Sequence, residues 1–197
     1  TFLGIYSNNL DEFFRVRVAT LNRIVEYNDK NIRKEQDTAA YTLKQINKLH
    51  NRYYSQFEDT FAIIIEELKR ENIYVIRETE LTPEQGEFII SFYRNQLNGS
   101  TSPLFLSNSC SLDDQTDEDI YLAVRLICRD AEGKVKEKDY AIIPLPTGEF
   151  GRFLCLPESE GKTCLMFLDD AIRYCLPLIF VGMNYTDYEA YTFKFTK

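Results

Sequence analysis

The feature that most constrains the fold of this chain is an apolar repeat between residues 37 and 72. Apolar side chains recur there every three or four residues, which predicts an amphipathic α-helix roughly 50 Å long. A helix of that length must pack against other helices, so residues 1–72 are predicted to form an antiparallel helical domain. A coiled coil is the alternative, although aromatic side chains are bulky for that packing. The repeat consists of Ile46, Leu49, Tyr53, Phe57, Phe61, Ile64 and Leu68.

A second helix is predicted from Leu10 to about Asn28, after a stretch rich in residues that favour caps and turns. Asn9 is a candidate N-cap whose side chain accepts a hydrogen bond from the backbone N–H of Glu12, and Glu12 can complete a capping box. Residue chemistry alone favours this structural role. Arg15, Arg17 and Arg23 are expected on or near the exposed flank. The positions predicted to face inward are Leu10, Phe13, Phe14, Leu21, Ile24 and Val25.

Asn9 is also a candidate binding residue. Its side-chain amide can both donate and accept hydrogen bonds, and apolar residues flank it in the sequence. A polar group that fixes orientation beside apolar walls suits a planar heterocycle such as a nucleobase. The two roles of Asn9, cap and ligand contact, both remain open at this level.

The hydrophobic pattern changes in residues 73–197, which are predicted to form an α+β domain with a largely antiparallel sheet. Thr82 opens a capping box with Pro83 at the first helical position, which predicts a helix through about Asn98. Short runs with period two follow, and each predicts a strand. These strands are Ile120–Arg129, Lys138–Leu145, Arg152–Leu156, Thr163–Phe167 and Glu189–Phe195.

A last helix is predicted to begin near residue 169 and to run to about Phe180. Asp169 or Asp170 is expected to cap it. Charged residues interrupt the apolar run that surrounds this helix, so the run is too polar for a transmembrane span.

Composition excludes several classes of protein and site. The 197 residues carry a formal net charge of −8, which argues against a general groove for nucleic acid or another polyanion. The five cysteines form no C-x-x-C pair and indicate a reduced chain. His50 is the single histidine, so the sequence offers no histidine-based metal site and no partner for histidine catalysis. No catalytic residue and no metal ligand are assigned.

Two local patterns imitate phosphate and calcium sites. Gly161-Lys162-Thr163 resembles the end of a P-loop, but the required first glycine falls on Leu156, so a surface turn is favoured. The acidic run Asp113–Asp119 lacks the central glycine and the closing glutamate of a calcium loop, which favours a solvated loop.

Two separate stretches resemble one enzyme family. The stretch Phe2–Phe13, followed by Val16 and Arg17, is similar to the N-terminal signature of the bacterial polyphosphate kinases of the histidine-phosphorylating type. Leu168–Leu176, with residues 179–180 and 190–191 after it, resembles the second domain of the same enzyme. The chain is interpreted as a fragment that covers most of the N-terminal helical domain, residues 1–72, and the first part of the "head" domain, residues 73–197.

The resemblance implies an activity for the full-length enzyme. Such an enzyme reversibly transfers the terminal phosphoryl of ATP to inorganic polyphosphate through a phosphohistidine, with Mg²⁺. ADP is the other nucleotide of the reaction, and the head domain supports homodimerisation. Asn9 is the position that matches an ATP-binding residue of the family.

The resemblance also implies limits. The phosphorylated histidine and the metal ligands fall outside this chain, so the fragment alone is expected to be inactive and to hold no cofactor. The expected location is the cytoplasm, with peripheral membrane association left open. The alternative function is a non-catalytic helical and α+β interaction module.

Overall fold

The computed structural model describes residues 2–27, 33–106 and 119–194, and internal contacts divide the chain into two compact units. The first unit ends at Glu67 and the second begins at Leu68. The first is helical and the second combines helices with strands, so the predicted α+β class is confirmed. The domain boundary predicted between residues 72 and 73 stays a prediction.

The first helix begins at Phe2 rather than at Leu10. Asn9 therefore lies inside a helix, and the predicted N-cap with Glu12 is wrong. Polar residues such as Asn are only weakly unfavourable in a helix, and packing of the apolar face outweighs that preference. The elements of this unit are α1 (Phe2–Phe13), a π-helical segment (Phe14–Val18), α2 (Ala19–Glu26) and the long α3 (Arg33–Arg70).

Helix α1 packs antiparallel against α3. The ring of Tyr6 lies 5.9 Å from that of Phe57, and the ring of Phe14 lies 5.1 Å from that of His50. Residue numbers therefore increase along α1 in the direction in which they decrease along α3. Helix α3 contains 38 residues, or about 57 Å at 1.5 Å per residue, which confirms the predicted long helix.

Two positions that were predicted to face inward are exposed instead. Phe13 is 38% exposed and Val25 is 37% exposed. Phe13 directly precedes Phe14, which is the residue that packs on α3, and consecutive helical residues point about 100° apart. Phe13 therefore lies on the flank of the contact.

The second unit contains the predicted helix after Thr82 and most of the predicted strands. Thr82 caps α4 with the predicted capping box, completed by Gln85, and Pro83 is the first helical residue. Its helices are α4 (Pro83–Phe92) with a π-helical segment (Tyr93–Leu97), α5 (Thr147–Phe150), α6 (Leu168–Tyr174) and α7 (Leu176–Ile179). Its strands are β1 (Ile73–Val75), β2 (Leu104–Phe105), β3 (Ile120–Arg129), β4 (Val135–Pro144), β5 (Phe153–Cys155), β6 (Thr163–Phe167) and β7 (Asp187–Lys194).

The strands form two sheets rather than one. A four-stranded antiparallel sheet has the order β2-β4-β3-β7, and a three-stranded sheet has the order β1-β6-β5. Strands β1 and β6 pair in parallel, whereas β5 and β6 are antiparallel. The parallel pair is possible because the long connection between β1 and β6 carries most of the unit, including a helix.

The core of the second unit lies where helices cover the two sheets. Alternate residues of β3 point into it, and Met166 of β6 and Ile89 of α4 are fully buried with them. Ile172 of α6 and Phe180, which directly follows α7, belong to the same cluster. The inward residues of β3 are Leu122, Val124 and Leu126.

The predicted helix from residue 169 to Phe180 is two short helices without the predicted aspartate cap. The N-cap of α6 is Phe167, and no side chain caps the helix. Pro177 lies in the first turn of α7, and proline inside a continuous helix would remove a hydrogen bond and clash with the preceding turn. The helix therefore breaks at Cys175.

Candidate functional site

Helix α1 carries two parallel stripes of side chains, of which one is buried against α3. The buried stripe advances by three, four, four and four residues, and its members are half-buried or buried. It includes the two rings that contact α3. Its residues are Leu3, Tyr6, Leu10, Phe14 and Val18.

The second stripe consists of the residues that directly precede each member of the first. It therefore has the same spacing and follows the buried stripe along the helix at a constant angle. Its apolar members are unusually open, since Phe2 is 88% exposed and Ile5 is 51% exposed. We call this set the outer stripe: Phe2, Ile5, Asn9, Phe13 and Arg17.

Asn9 lies at the centre of the outer stripe. Its side chain is exposed and makes no hydrogen bond with any residue that the structure describes. Ile5 lies one turn before it and Phe13 one turn after it. The Phe13 ring meets Phe14 edge-on at 6.0 Å, which helps to fix its orientation. The amide group is thus free to bind a ligand between two apolar side chains.

The π-helical segment sets the position of Arg17. In a continuous α-helix, Val16 would lie nearest to the line through Asn9, because it follows Asn9 by seven residues. A π-helical turn takes up one extra residue, which moves Arg17 onto that line. Single π-helical turns inside α-helices occur frequently at functional sites.

The two arginines of this segment differ in their partners. Arg15 binds the carboxylate of Asp11 at 2.9 Å. Arg17 is exposed, and no ion pair or hydrogen bond joins it to the described part of the chain. The exposed flank predicted for Arg15 and Arg17 is confirmed. Sequence reasoning assigned Arg17 no function, although the four-residue steps from Asn9 to Phe13 and from Phe13 to Arg17 are visible in the sequence.

A shallow cavity of about 410 Å³ lies beside the outer stripe. It is lined by Asn8, Asp11, Glu12, Arg15 and Val16. Asn9 is not among the lining residues, so the structure does not enclose the predicted binding residue. The outer stripe is an open face, and a ligand held on it would need a second wall.

His50 belongs to the contact between α1 and α3. Its ring packs edge-on against Phe14 and lies 6.2 Å from the ring of Tyr54. Its Nδ1 atom is buried and has no hydrogen-bond partner among the described residues. No described residue forms a hydrogen bond or an ion pair with this ring, and the arrangement is that of a packed side chain.

The two adjacent aspartates of α6 are engaged in a charged network. Asp169, which is 7% exposed, accepts a hydrogen bond from Thr192 of β7 at 2.7 Å and lies 3.2 Å from Arg152. Asp170 is bound by Arg173. Burial raises the pKa of Asp170, and the neighbouring Arg173 offsets that effect only in part. The network ties β7 to α6 and leaves neither carboxylate open to a ligand.

The structure describes the stretch that resembles a P-loop in full, and only the end of the stretch that resembles a calcium loop. Gly161 has φ +73°, and the backbone N–H of Lys162 donates to the carbonyl oxygen of Ser159 at 3.0 Å, so this stretch is a turn. Most of the acidic run Asp113–Asp119 lies outside the described residues, as does Cys110.

Across 2–27, 33–106 and 119–194, no cluster of His, Cys, Asp or Glu side chains could hold a metal ion. The described residues therefore do not fit a Mg²⁺ site.

No helix in the described ranges has the length and apolar character needed to cross a membrane.

Comparison with known proteins shows which family shares these two units. The polyphosphate kinase N-terminal domain matches residues 1–76, and the polyphosphate kinase middle domain matches residues 84–197. The chain belongs to the polyphosphate kinase family. This finding agrees with the resemblance seen in the stretches around Asn9 and Asp169.

Individual relatives give the extent of the match. The polyphosphate kinase of Vibrio parahaemolyticus is 32% identical over all of this chain and 28% of its own length. That of Escherichia coli K12 is 30% identical, again over all of this chain and 28% of its own length. The crystal structure of polyphosphate kinase from Porphyromonas gingivalis has the same fold, with a TM-score of 0.80 and 24% identity, over 99% of this chain and 28% of that chain. The chain thus spans a little over a quarter of the length of these relatives.

Proposed function

We propose that this chain supplies the nucleotide-contacting and self-associating part of a polyphosphate kinase. The complete enzyme would transfer the terminal phosphoryl group of ATP to inorganic polyphosphate, reversibly, through a phosphohistidine and with Mg²⁺. The histidine and the metal ligands would lie outside residues 1–197, so this part alone would be inactive and would hold no cofactor. The expected location is the cytoplasm, with peripheral membrane association as a further possibility.

The observation that carries the nucleotide contact is the position of Asn9. An exposed amide without a hydrogen-bond partner among the described residues lies between Ile5 and Phe13, which are both exposed. A nucleobase presents donors and acceptors along its edge and apolar faces above and below. Asn9 can satisfy the edge, and its two neighbours can cover part of a face.

Asn9→Asp in the complete enzyme tests this proposal. Aspartate is nearly isosteric but cannot donate to the base, and it adds a negative charge where an anionic ligand must bind. We expect a raised KM for ATP and an unchanged melting temperature, because Asn9 is an exposed position inside a helix and not a cap.

Asn8→Asp is the matched control. Asn8 is also exposed on α1, but it is not part of the outer stripe. The control adds the same charge one residue away and should leave the KM for ATP close to that of the unchanged enzyme. Equal effects of the two substitutions on KM would refute a base contact at Asn9.

Self-association is proposed for the second unit on the basis of exposed apolar side chains on one face of its four-stranded sheet. We call this the open sheet face, although Tyr121, Ile127 and Ile142 on the same side are buried. Tyr140, Tyr191 and Leu104 share the side of the four-stranded sheet opposite the core, as their pairing through Ala123 and Arg125 shows. Aromatic residues and arginine are enriched in protein interfaces, and Arg125, which pairs with Glu189 at 2.8 Å, lies among these exposed side chains.

A non-catalytic interaction module remains the second candidate. The same open sheet face favours it, since an interaction module needs no nucleotide site. The Asn9→Asp measurement separates the two candidates, because only the first predicts a change in ATP kinetics.

A further inference from the structure

The outer stripe has a charged end that the proposed base contact does not use. Arg17 follows Asn9 by two four-residue steps, with Phe13 between them. Each of these residues directly precedes a member of the buried stripe: Asn9 precedes Leu10, and Arg17 precedes Val18. The three side chains therefore leave α1 on the same side.

We infer that Arg17 binds the phosphate groups of the nucleotide whose base contacts Asn9. This inference rests on the proposed function of the outer stripe and extends it from the base to the anionic end of the ligand. It assigns to this chain a second contact with ATP or ADP.

The spacing of the three groups fits the chemistry of a nucleotide. Eight residues of helix place Arg17 roughly 12 Å along the axis from Asn9, less a small contraction in the π-helical segment. The apolar Phe13 lies midway. The amide and the apolar ring that are proposed to contact the base are thus followed by a guanidinium, on the side where the phosphate chain would extend.

The charge of Arg17 is available for an anion. Arg17 has no intramolecular partner in the described residues, whereas Asp11 neutralises Arg15 two positions earlier. Glu12, the exposed carboxylate nearest in sequence to Phe13, lies on the far side of the outer stripe from the buried stripe. Guanidinium groups bind phosphate oxygens through paired, charge-assisted hydrogen bonds, which a lysine would not reproduce geometrically.

The overall charge of the chain makes this position significant. With a formal net charge of −8, the chain as a whole repels a polyanion. Arg17, which has no partner in the part of the chain that the structure describes, opposes that repulsion locally on the outer stripe. The π-helical segment is what aligns it with Asn9, and this alignment gives a functional reason for an irregular turn inside a packed helix.

The test compares Arg17→Gln with Arg15→Gln in the complete polyphosphate kinase polypeptide that contains these residues. Binding of ATP, ADP and adenosine is measured by calorimetry for each variant and for Asn9→Asp. Arg17→Gln should weaken ATP about tenfold to a hundredfold and ADP less, while adenosine binding stays unchanged. Arg15→Gln should leave all three affinities within about twofold, because its charge is already paired.

The outcomes separate this inference from the proposal on which it rests. If Asn9→Asp weakens adenosine binding but Arg17→Gln changes ATP binding no more than Arg15→Gln does, the inference on Arg17 is wrong and the base contact stands. If Asn9→Asp leaves adenosine binding unchanged, the base contact is wrong. Equal loss of adenosine and ATP in Arg17→Gln would indicate a structural defect and would also overturn the phosphate contact.

Discussion

The Glu78 carboxylate lies 3.6 Å from the guanidinium of Arg173, the same group that binds Asp170 one turn earlier in α6. One cation thus faces two carboxylates, and Arg173 also donates to the backbone carbonyl oxygen of Ala190 in β7 at 3.3 Å. Because these groups are largely shielded from water, the balance between pairing and desolvation decides their contribution to stability.

Replacing Arg173 should lower the free energy of unfolding more than replacing Asp170 does. Arg173→Met leaves two partly buried carboxylates without their cation, and we expect a loss of roughly 3 kcal/mol in the free energy of unfolding. Asp170→Asn leaves Arg173 paired with Glu78, so we expect a change below about 1 kcal/mol at neutral pH. Chemical denaturation of both variants measures the difference. Equal losses would show that Glu78 does not hold Arg173.

The same pair predicts a dependence on pH. Burial raises the pKa of Asp170 above 3.8 in the folded state, so the folded protein binds this proton more tightly than the unfolded chain does. The stability that Asp170 contributes is fully present below pH 3.8 and is lost as the pH rises through its raised folded pKa. Asp170→Asn should remove this part of the pH profile, and a profile unchanged by that substitution would contradict the assignment.

Substitution by alanine at two helical glycines should change the free energy of unfolding in opposite directions. A Cβ atom at Gly4 of α1 meets nothing within 4 Å, so Gly4→Ala should raise the free energy of unfolding by up to about 1 kcal/mol through helix propensity. A Cβ atom at Gly86 of α4 would lie 2.5 Å from Oη of Tyr174, so Gly86→Ala should lower it by about 1–3 kcal/mol.

Tyr174→Phe supplies the control for Gly86. It removes the clashing oxygen, and the next contact, to Cζ, is at 3.3 Å. The double variant should therefore recover much of the stability that Gly86→Ala loses. If the double variant did not recover stability, the loss caused by Gly86→Ala would not arise from the contact with Tyr174.

The proposed self-association predicts a specific effect at the open sheet face. Tyr191, which is 67% exposed, should be a central contact, and Tyr191→Arg should raise the dimer dissociation constant at least tenfold. Tyr41→Arg is the matched control, since Tyr41 is 66% exposed but lies on α3. Sedimentation velocity over a range of concentrations measures both. Equal dissociation constants for the two variants would exclude this face.

Local sequence was sufficient to predict several elements of the second unit. The capping box at Thr82 and the strands Ile120–Arg129 and Thr163–Phe167 occur as predicted. Each depends on neighbouring residues, through a side-chain cap or through an alternation of apolar and polar positions. Such short-range signals do not depend on tertiary contacts between residues that are distant in sequence.

Positions that depend on partners distant in sequence were predicted incorrectly. Asp169 was predicted to cap a helix, but it binds Thr192 of the distant strand β7. Asn9 was predicted by residue chemistry to begin a helix, but α1 starts at Phe2 because its apolar side chains pack on α3. In both places a long-range contact outweighed a local preference.

The candidate site also combines features set by the sequence with features set by tertiary contacts. The sequence by itself determined that an amide lies among apolar residues at Asn9, that the chain is acidic, and that the signature around Asn9 resembles one family. Only the tertiary structure decided which face of α1 is buried, and the π-helical segment then decided that Arg17 shares the open face with Asn9. The physical reason is that a helix face is defined by what packs against it, and α3 supplies that surface from far along the chain.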